Sequence, residues 1–179
     1  PGCLQYGHSG PVDLRTALEH SCNIFFFDVG RIAGIDTLNS YSAKLGFGKK
    51  TGIELPGEMS GIIAGRKYRE SIGKTWEDGE TLLAAIGQSD NAVTPVQLVN
   101  YVATIGNGGK FYSPHIIKSI RDAEKNETVY SSSTSYESLG LKQETLQAVV
   151  EGMVEVSKTG GSAGSGFANY TLSSIAVKT

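Results

Sequence analysis

The sequence predicts a mostly helical α/β chain carrying only part of an antiparallel sheet. Three observations lead there. Five stretches place apolar residues at helical spacing, three of them behind recognisable N-caps. A charged turn separates two short β-rich runs, and a further apolar strand signature ends at Thr179. One hairpin and one lone strand cannot satisfy a sheet's backbone hydrogen bonds, so the sheet is expected to be completed by segments outside this sequence.

In chain order, "VDLRTALEHS" reads as a short helix, with Asp13 as N-cap and Leu14, Ala17 and Leu18 on one face. "NIFFFDVGRIAG" follows, with Phe25, Val29 and Ile32 aligned and Gly34 as its stop. "DTLNSYSAKLG" repeats the design, with Asp36 as cap, Leu38, Tyr41 and Leu45 inside and Gly46 at the end. Glycines and polar residues from Phe47 to Thr81 predict a long irregular segment with a short strand at Gly52–Leu55. In "TPVQLVNYVATIGNGG", Thr94 is an N-cap, Pro95 takes the first helical position and Gln97 completes a capping box. Leu98, Val102 and Ile105 should face the core of that helix. "HIIKSIRDAEKNETVY" reads as the hairpin. "KQETLQAVVEGMVEVS" is amphipathic through Leu146, Val149, Val150, Met153 and Val156. "KTGGSAGSG" has the composition of a flexible loop, and "TLSSIAV" is the closing strand.

Composition narrows the function classes. Sixteen Lys and Arg nearly balance 18 Asp and Glu, which gives neither the basic face of a nucleic-acid binder nor an acidic tail. The apolar run "NIFFFDVG" is too short to span a membrane, and nothing reads as a signal peptide. Pro1 is not an initiator residue, so the chain is expected to begin inside a longer protein. Cys3 and Cys22 are too few for a disulfide framework, although they could pair in an exported protein. His8, His20 and His115 show no ligand spacing, so no metal is implied.

One class of serine acyl-enzyme carries S-x-x-K, S-x-N and K-T-G in that order. A serine hydroxyl needs an adjacent base, and a lysine one helical turn away serves if its pKa is depressed. The second serine relays protons, the asparagine holds the substrate backbone, and the K-T-G strand offers a cation and a hydroxyl. Read literally, the chain holds all three as "SIGK" (Ser71–Lys74), "SDN" (Ser89–Asn91) and "KTG" (Lys158–Gly160). Their surroundings are wrong. Ser71 and Lys74 flank a glycine, little chain separates Lys74 from Ser89, and Lys158 runs into "GSAGSG" instead of a strand. A second set sits better. "SCN", Ser21-Cys22-Asn23, lies at the joint of two predicted helices, and Lys178-Thr179 ends an apolar strand. Alone, Ser21 and Asn23 would read as a cap and a turn residue, and Lys178 as a solvated end.

From about Tyr6 the chain resembles the transpeptidase domain of class B penicillin-binding proteins. "HSGPVDLRTALEHSCNIFFFDVG" is similar to the family's run through its S-x-N motif. "GIDTLNSYSAKLGFGKKTGIELPGEMSG", "IGQSDNAVTPVQLVNYVATIGNGG", "SPHIIKSI", "VVEGMVEV" and "IAVKT" resemble later blocks in the family's order. The resemblance implies an incomplete penicillin-binding transpeptidase or serine β-lactamase-like fold, a helical subdomain plus part of an antiparallel sheet. Residues 1–179 would be a partial domain, without the upstream S-x-x-K segment and without anything past the first two residues of K-T-G.

The resemblance also implies roles. Ser21 would pass protons, Asn23 would hold the substrate's peptide backbone, Lys178 would set the pocket's electrostatics and Thr179 would bind the donor's carboxylate. It implies a parent enzyme anchored in the cell membrane, its catalytic domain on the outer side, cross-linking peptidoglycan through a serine acyl-enzyme. The nucleophile is expected upstream, leaving this chain inactive alone. Expected partners are stem peptides ending in D-Ala-D-Ala, β-lactams and other cell-wall synthesis proteins; no cofactor and no nucleic acid are expected. A β-lactamase-like hydrolase or β-lactam receptor, and a non-catalytic cell-wall scaffold, stay open as alternatives.

Overall fold

The computed structural model describes residues 11–169. Eight helices and four short strands occur among them: α1 (Leu14–Glu19), α2 (Asn23–Ala33), α3 (Ile35–Lys44), α4 (Arg66–Ser71), α5 (Asp78–Ala85), α6 (Pro95–Gly106), β1 (Lys110–Tyr112), β2 (Ser119–Asp122), β3 (Glu127–Ser131), β4 (Tyr136–Ser138), α7 (Gln143–Ser157) and α8 (Gly164–Phe167). The mostly helical α/β reading is correct. The strands form two antiparallel pairs, β1 with β4 and β2 with β3, the second nested within the chain between the first. The β2–β3 pair is the expected hairpin. The outer pair was not expected, because three-residue strands carry no readable alternation.

The core runs between α1 and α7 through Ala17, Leu18, Leu146, Met153 and Val156, all buried. Helix α2 lies instead on α5, where Gly30 meets Ala85 so closely that a side chain at 30 would overlap it. The capping residues behave as their chemistry requires. Asp13 accepts from Thr16 N–H at 2.8 Å, and Thr94 and Gln97 close a reciprocal capping box on α6.

Several expectations fail for physical reasons. Val29 and Ile32 are exposed on α2, at 41% and 72%, because α5 covers the Gly30 side of that helix. Tyr41 is half exposed, its ring lying 5.2 Å from the Lys44 ammonium. Gly34, not Asp36, is the N-cap of α3. On α6 only Ile105 of the three expected core residues is buried, while Gln97 and Thr104 are. Gln97 is buried because it ties down a loop: its Nε2 donates to Lys49 O and Ser60 O, both at 2.8 Å. No strand forms at Gly52–Leu55. The Glu58 carboxylate organises that loop, accepting from Thr51 N–H at 2.6 Å and Gly52 N–H at 3.0 Å. The segment read as irregular also contains α4 and the start of α5. Neither buries a residue fully, so neither shows an apolar stripe. The closing strand "TLSSIAV" falls outside the described residues.

Candidate active site

The joint between α1 and α2 is built by backbone hydrogen bonds. Cys22 N–H donates to Ala17 O at 2.8 Å and Ser21 N–H to Leu18 O at 3.1 Å. This is a Schellman ending, with His20 as C-cap and Ser21 in the left-handed position at φ +51°. Cys22 is also the N-cap of α2, and Asn23 is its first helical residue. Cys22 is buried at 2% exposure while Ser21 and Asn23 are only half-buried. The turn therefore anchors through its middle residue and leaves its outer two accessible. It also sets both beside the N-terminus of the 11-residue α2, whose partial positive charge favours an anion.

The same ending recurs four more times. Helices α3, α4, α5 and α6 end with the same pair of bonds, and their left-handed residues are Gly46, Gly73, Gly87 and Gly108. Glycine adopts that conformation without penalty, whereas a residue with a Cβ pays about 1–2 kcal/mol. Ser21 is the exception among these five ends. Ser21 is thus a non-glycine residue held in a left-handed conformation, as Ser89 is at φ +63° outside these helix ends.

The literal motif set fares differently. Helix α4 ends at Ser71 and reverses through Gly73, so Ser71 and Lys74 do not share a helical face. Ser71 Oγ donates to Tyr68 O at 2.7 Å. Ser89 Oγ bonds Glu80, and Asp90 pairs with Arg69, which also reaches Glu80 at 3.1 Å. Asn91 is fully used, accepting from Ala64 N–H at 2.9 Å and donating to Gln88 O at 3.0 Å and Ala84 O at 3.3 Å. Lys158 caps the end of α7, and its ammonium pairs with Glu155 at 3.0 Å. Ser71, Ser89, Asp90, Asn91 and Lys158 of the literal set are thus each engaged within the fold.

The "KTGGSAGSG" segment is not a loose loop. Gly161 N–H donates to Lys158 O at 2.9 Å, Ala163 N–H to Val156 O at 3.0 Å, and α8 begins at Gly164. Ser162 N–H donates to Glu19 O at 2.9 Å, which brings this turn against the end of α1 beside Ser21. Arg15 on α1 pairs with Glu155 on α7. With Lys158 and Arg15 beside it, the Glu155 carboxyl is held below the ordinary glutamate range. Sequence composition suggested flexibility here and missed the packing; Gly161 and Gly164, spaced by three, were the available signal.

An apolar groove of about 630 Å³ runs along α2, lined by Val12, Cys22, Ile24, Val29, Ile32 and Leu82 among others. Ser21 and Asn23 do not line it. Among the described residues no group of three His, Cys, Asp or Glu side chains could hold a metal, and no helix is long and apolar enough to cross a membrane. Lys178, Thr179 and Cys3 lie outside the described residues, so of the four site candidates the structure places Ser21 and Asn23 on one turn.

Residues 4–179 match the family model described as the penicillin binding protein transpeptidase domain. The chain belongs to the class B penicillin-binding protein transpeptidase family. It is similar to the peptidoglycan D,D-transpeptidase MrdA of Salmonella typhimurium, 35% identical over 112 residues, covering 62% of this chain and 18% of that protein. It is 32% identical to penicillin-binding protein 2A of Bacillus subtilis, covering 91% of this chain and 24% of that protein. Among solved structures, the complex of penicillin-binding protein PBP2 with MreC from Helicobacter pylori aligns with a TM-score of 0.70 at 28% identity, covering 85% of this chain and 27% of that one. The chain thus spans about a fifth to a quarter of the length of these relatives.

Proposed function

We propose that the protein carrying this chain is a peptidoglycan D,D-transpeptidase working through a serine acyl-enzyme, and that Ser21-Cys22-Asn23 is its S-x-N element. The observation that carries the reading is the strained Ser21 turn, which alone among the five equivalent helix ends sets a hydroxyl in a glycine position. The family match and relatives named as D,D-transpeptidases support it.

In this reading a serine oxygen attacks the penultimate D-alanine carbonyl of a stem peptide. Its proton passes by way of a lysine and Ser21 to the departing amine, releasing D-alanine. An amine of a neighbouring stem then attacks the acyl-enzyme and restores the serine. Asn23 holds the donor's peptide backbone, Lys178 supplies positive charge and Thr179 binds the terminal carboxylate. The sequence's single S-x-x-K, at Ser71–Lys74, is broken by the end of α4. In this reading the reacting serine and lysine come from the parent outside this chain, whose isolated form is inactive. The exposed apolar face of α2 is where the rest of the parent domain packs. β-Lactams occupy the same site as donor mimics. The domain works on the outer side of the cell membrane, and the relative solved with MreC supports cell-wall synthesis proteins as partners.

The test is to treat the parent with a penicillin, digest it and locate the acylated serine by mass. An adduct outside residues 1–179 whose formation needs Ser21 supports the proposal. An adduct on Ser71 overturns it, and steady β-lactam hydrolysis would make the protein a hydrolase on the same fold.

A further inference from the structure

We infer that the Gly161–Gly164 turn is a positioning element for the S-x-N serine, acting through the last carbonyl of α1. The inference rests on the transpeptidase reading. The turn folds back over the end of α7 with no room to spare. A Cβ at Gly161 would lie 2.5 Å from Val156 O and against Glu155 O, and one at Gly164 would strike Lys158 O. Backbone atoms cannot yield as a flexible side chain would, so glycine is required at both places. What this tight fold delivers is a single donor, Ser162 N–H, aimed at Glu19 O at 2.9 Å.

That carbonyl would otherwise be left over. Of the carbonyls closing α1, Thr16 O accepts from His20 N–H, Ala17 O from Cys22 N–H and Leu18 O from Ser21 N–H. Glu19 O takes its donor from a segment 143 positions further along, and it belongs to the residue two before Ser21. Two other contacts fix α1 against α7 and complete the frame. A Cβ at Gly152 would lie 2.5 Å from Leu18 Cδ1, and Arg15 pairs with Glu155. Ser21 sits in a disfavoured conformation that only its surroundings maintain, and this turn supplies a hydrogen bond from outside α1 and α2 to the residue two before it. The turn touches no substrate in this account; it holds Ser21 in place.

The test uses the full-length parent. Replacing the peptide bond between Gly161 and Ser162 by an ester removes the Ser162 donor to Glu19 O with no change of side chain, and also weakens the Gly161 carbonyl as acceptor of Gly164 N–H. Gly164→Ala, which displaces the turn from its other side, is the second variant. Stopped-flow acylation by a chromogenic β-lactam separates the non-covalent binding constant from the acylation rate constant. The expected result is a fall of about tenfold or more in the acylation rate constant, since small misplacements of a reacting group are costly. Binding should stay within about twofold, because the wrong placement affects proton transfer and not the pocket. The active fraction, titrated by the total label incorporated, should stay near that of the wild type. Unchanged acylation in the ester protein overturns the inference, as does a loss matched by the loss of titratable protein in both variants. If wild-type parent is not acylated at all, or is acylated without need of Ser21, the transpeptidase reading itself fails.

Discussion

Replacing Ser21 by glycine separates the backbone cost of the S-x-N turn from its chemistry. At φ +51° the serine Cβ is disfavoured by about 1–2 kcal/mol, which glycine avoids. Glycine gives back about 0.5–1 kcal/mol through the larger freedom of its unfolded chain. The net expectation is a stabilisation of about 0.5–1 kcal/mol, or a Tm higher by about 1–4 °C for a domain of this size. The same change deletes the hydroxyl. Acid–base groups contribute about 10²–10⁴-fold, so acylation should fall by at least about 100-fold.

The control is the reverse exchange, Gly73→Ser at the end of α4. The geometry there is equivalent and nothing lies within 4 Å of the added Cβ. It should lose about 0.5–1 kcal/mol with no change in acylation. Thermal melts and second-order labelling by a fluorescent penicillin, both on the parent protein, read the two effects. A Ser21→Gly protein that melts below wild type, or labels at the wild-type rate, refutes the reasoning.

Three further outcomes follow from the packing. Gly30→Val should force α2 from α5 and cost about 1–3 kcal/mol, seen as a lower urea midpoint. Gln97→Leu should strand Lys49 O, Ser60 O and Thr94 N–H, costing about 2–4 kcal/mol and exposing the 49–60 loop to proteolysis. Glu155 has a depressed folded pKa, so its contribution is fully present above the unfolded value of about 4.3 and is lost as pH falls through the folded one. Tm measured from pH 6 down to 3 should therefore drop less steeply in Glu155→Gln than in wild type.

What was legible in the sequence was whatever local chemistry decides. Asp13, Thr94 and Gln97 announce helix starts because each side chain bonds a backbone group within three residues. Gly34 and Gly46 mark helix ends for the same local reason. The joint at Ser21–Asn23 was legible as the gap between two periodic segments. Residues placed by distant partners were not. Val29 and Ile32 look like core positions on a wheel, yet α5 decides which side of α2 is covered. Gln97 is legible as a capping-box residue but its burial is not, because loop carbonyls 37 and 48 positions away need its amide. The turn at Gly161–Gly164 reads as a flexible tract, because composition does not record that its amides meet α1 and α7.

The two asparagines of the competing S-x-N matches offer the sharpest contrast between spelling and chemistry. Asn91 has its carbonyl on Ala64 N–H and its amide on Gln88 O and Ala84 O, so it joins the loop at 64 to the end of α5. Cutting it to alanine removes three bonds and leaves part-buried backbone groups unpaired, at a cost of about 2–4 kcal/mol. The folded fraction should still acylate at the wild-type rate. Asn23 is the first residue of α2, where its backbone N–H needs no intrahelical partner. Asn23→Ala should change stability by less than about 1 kcal/mol, within the range of helix-start substitutions. It should weaken β-lactam capture by about tenfold or more, the loss expected for a hydrogen bond to substrate in a shielded site. The two variants are thus predicted to fail in opposite assays. If Asn91→Ala destroys acylation in protein that melts normally while Asn23→Ala only lowers Tm, the site assignments must be exchanged, and the strained serine at 21 loses its chemical reason.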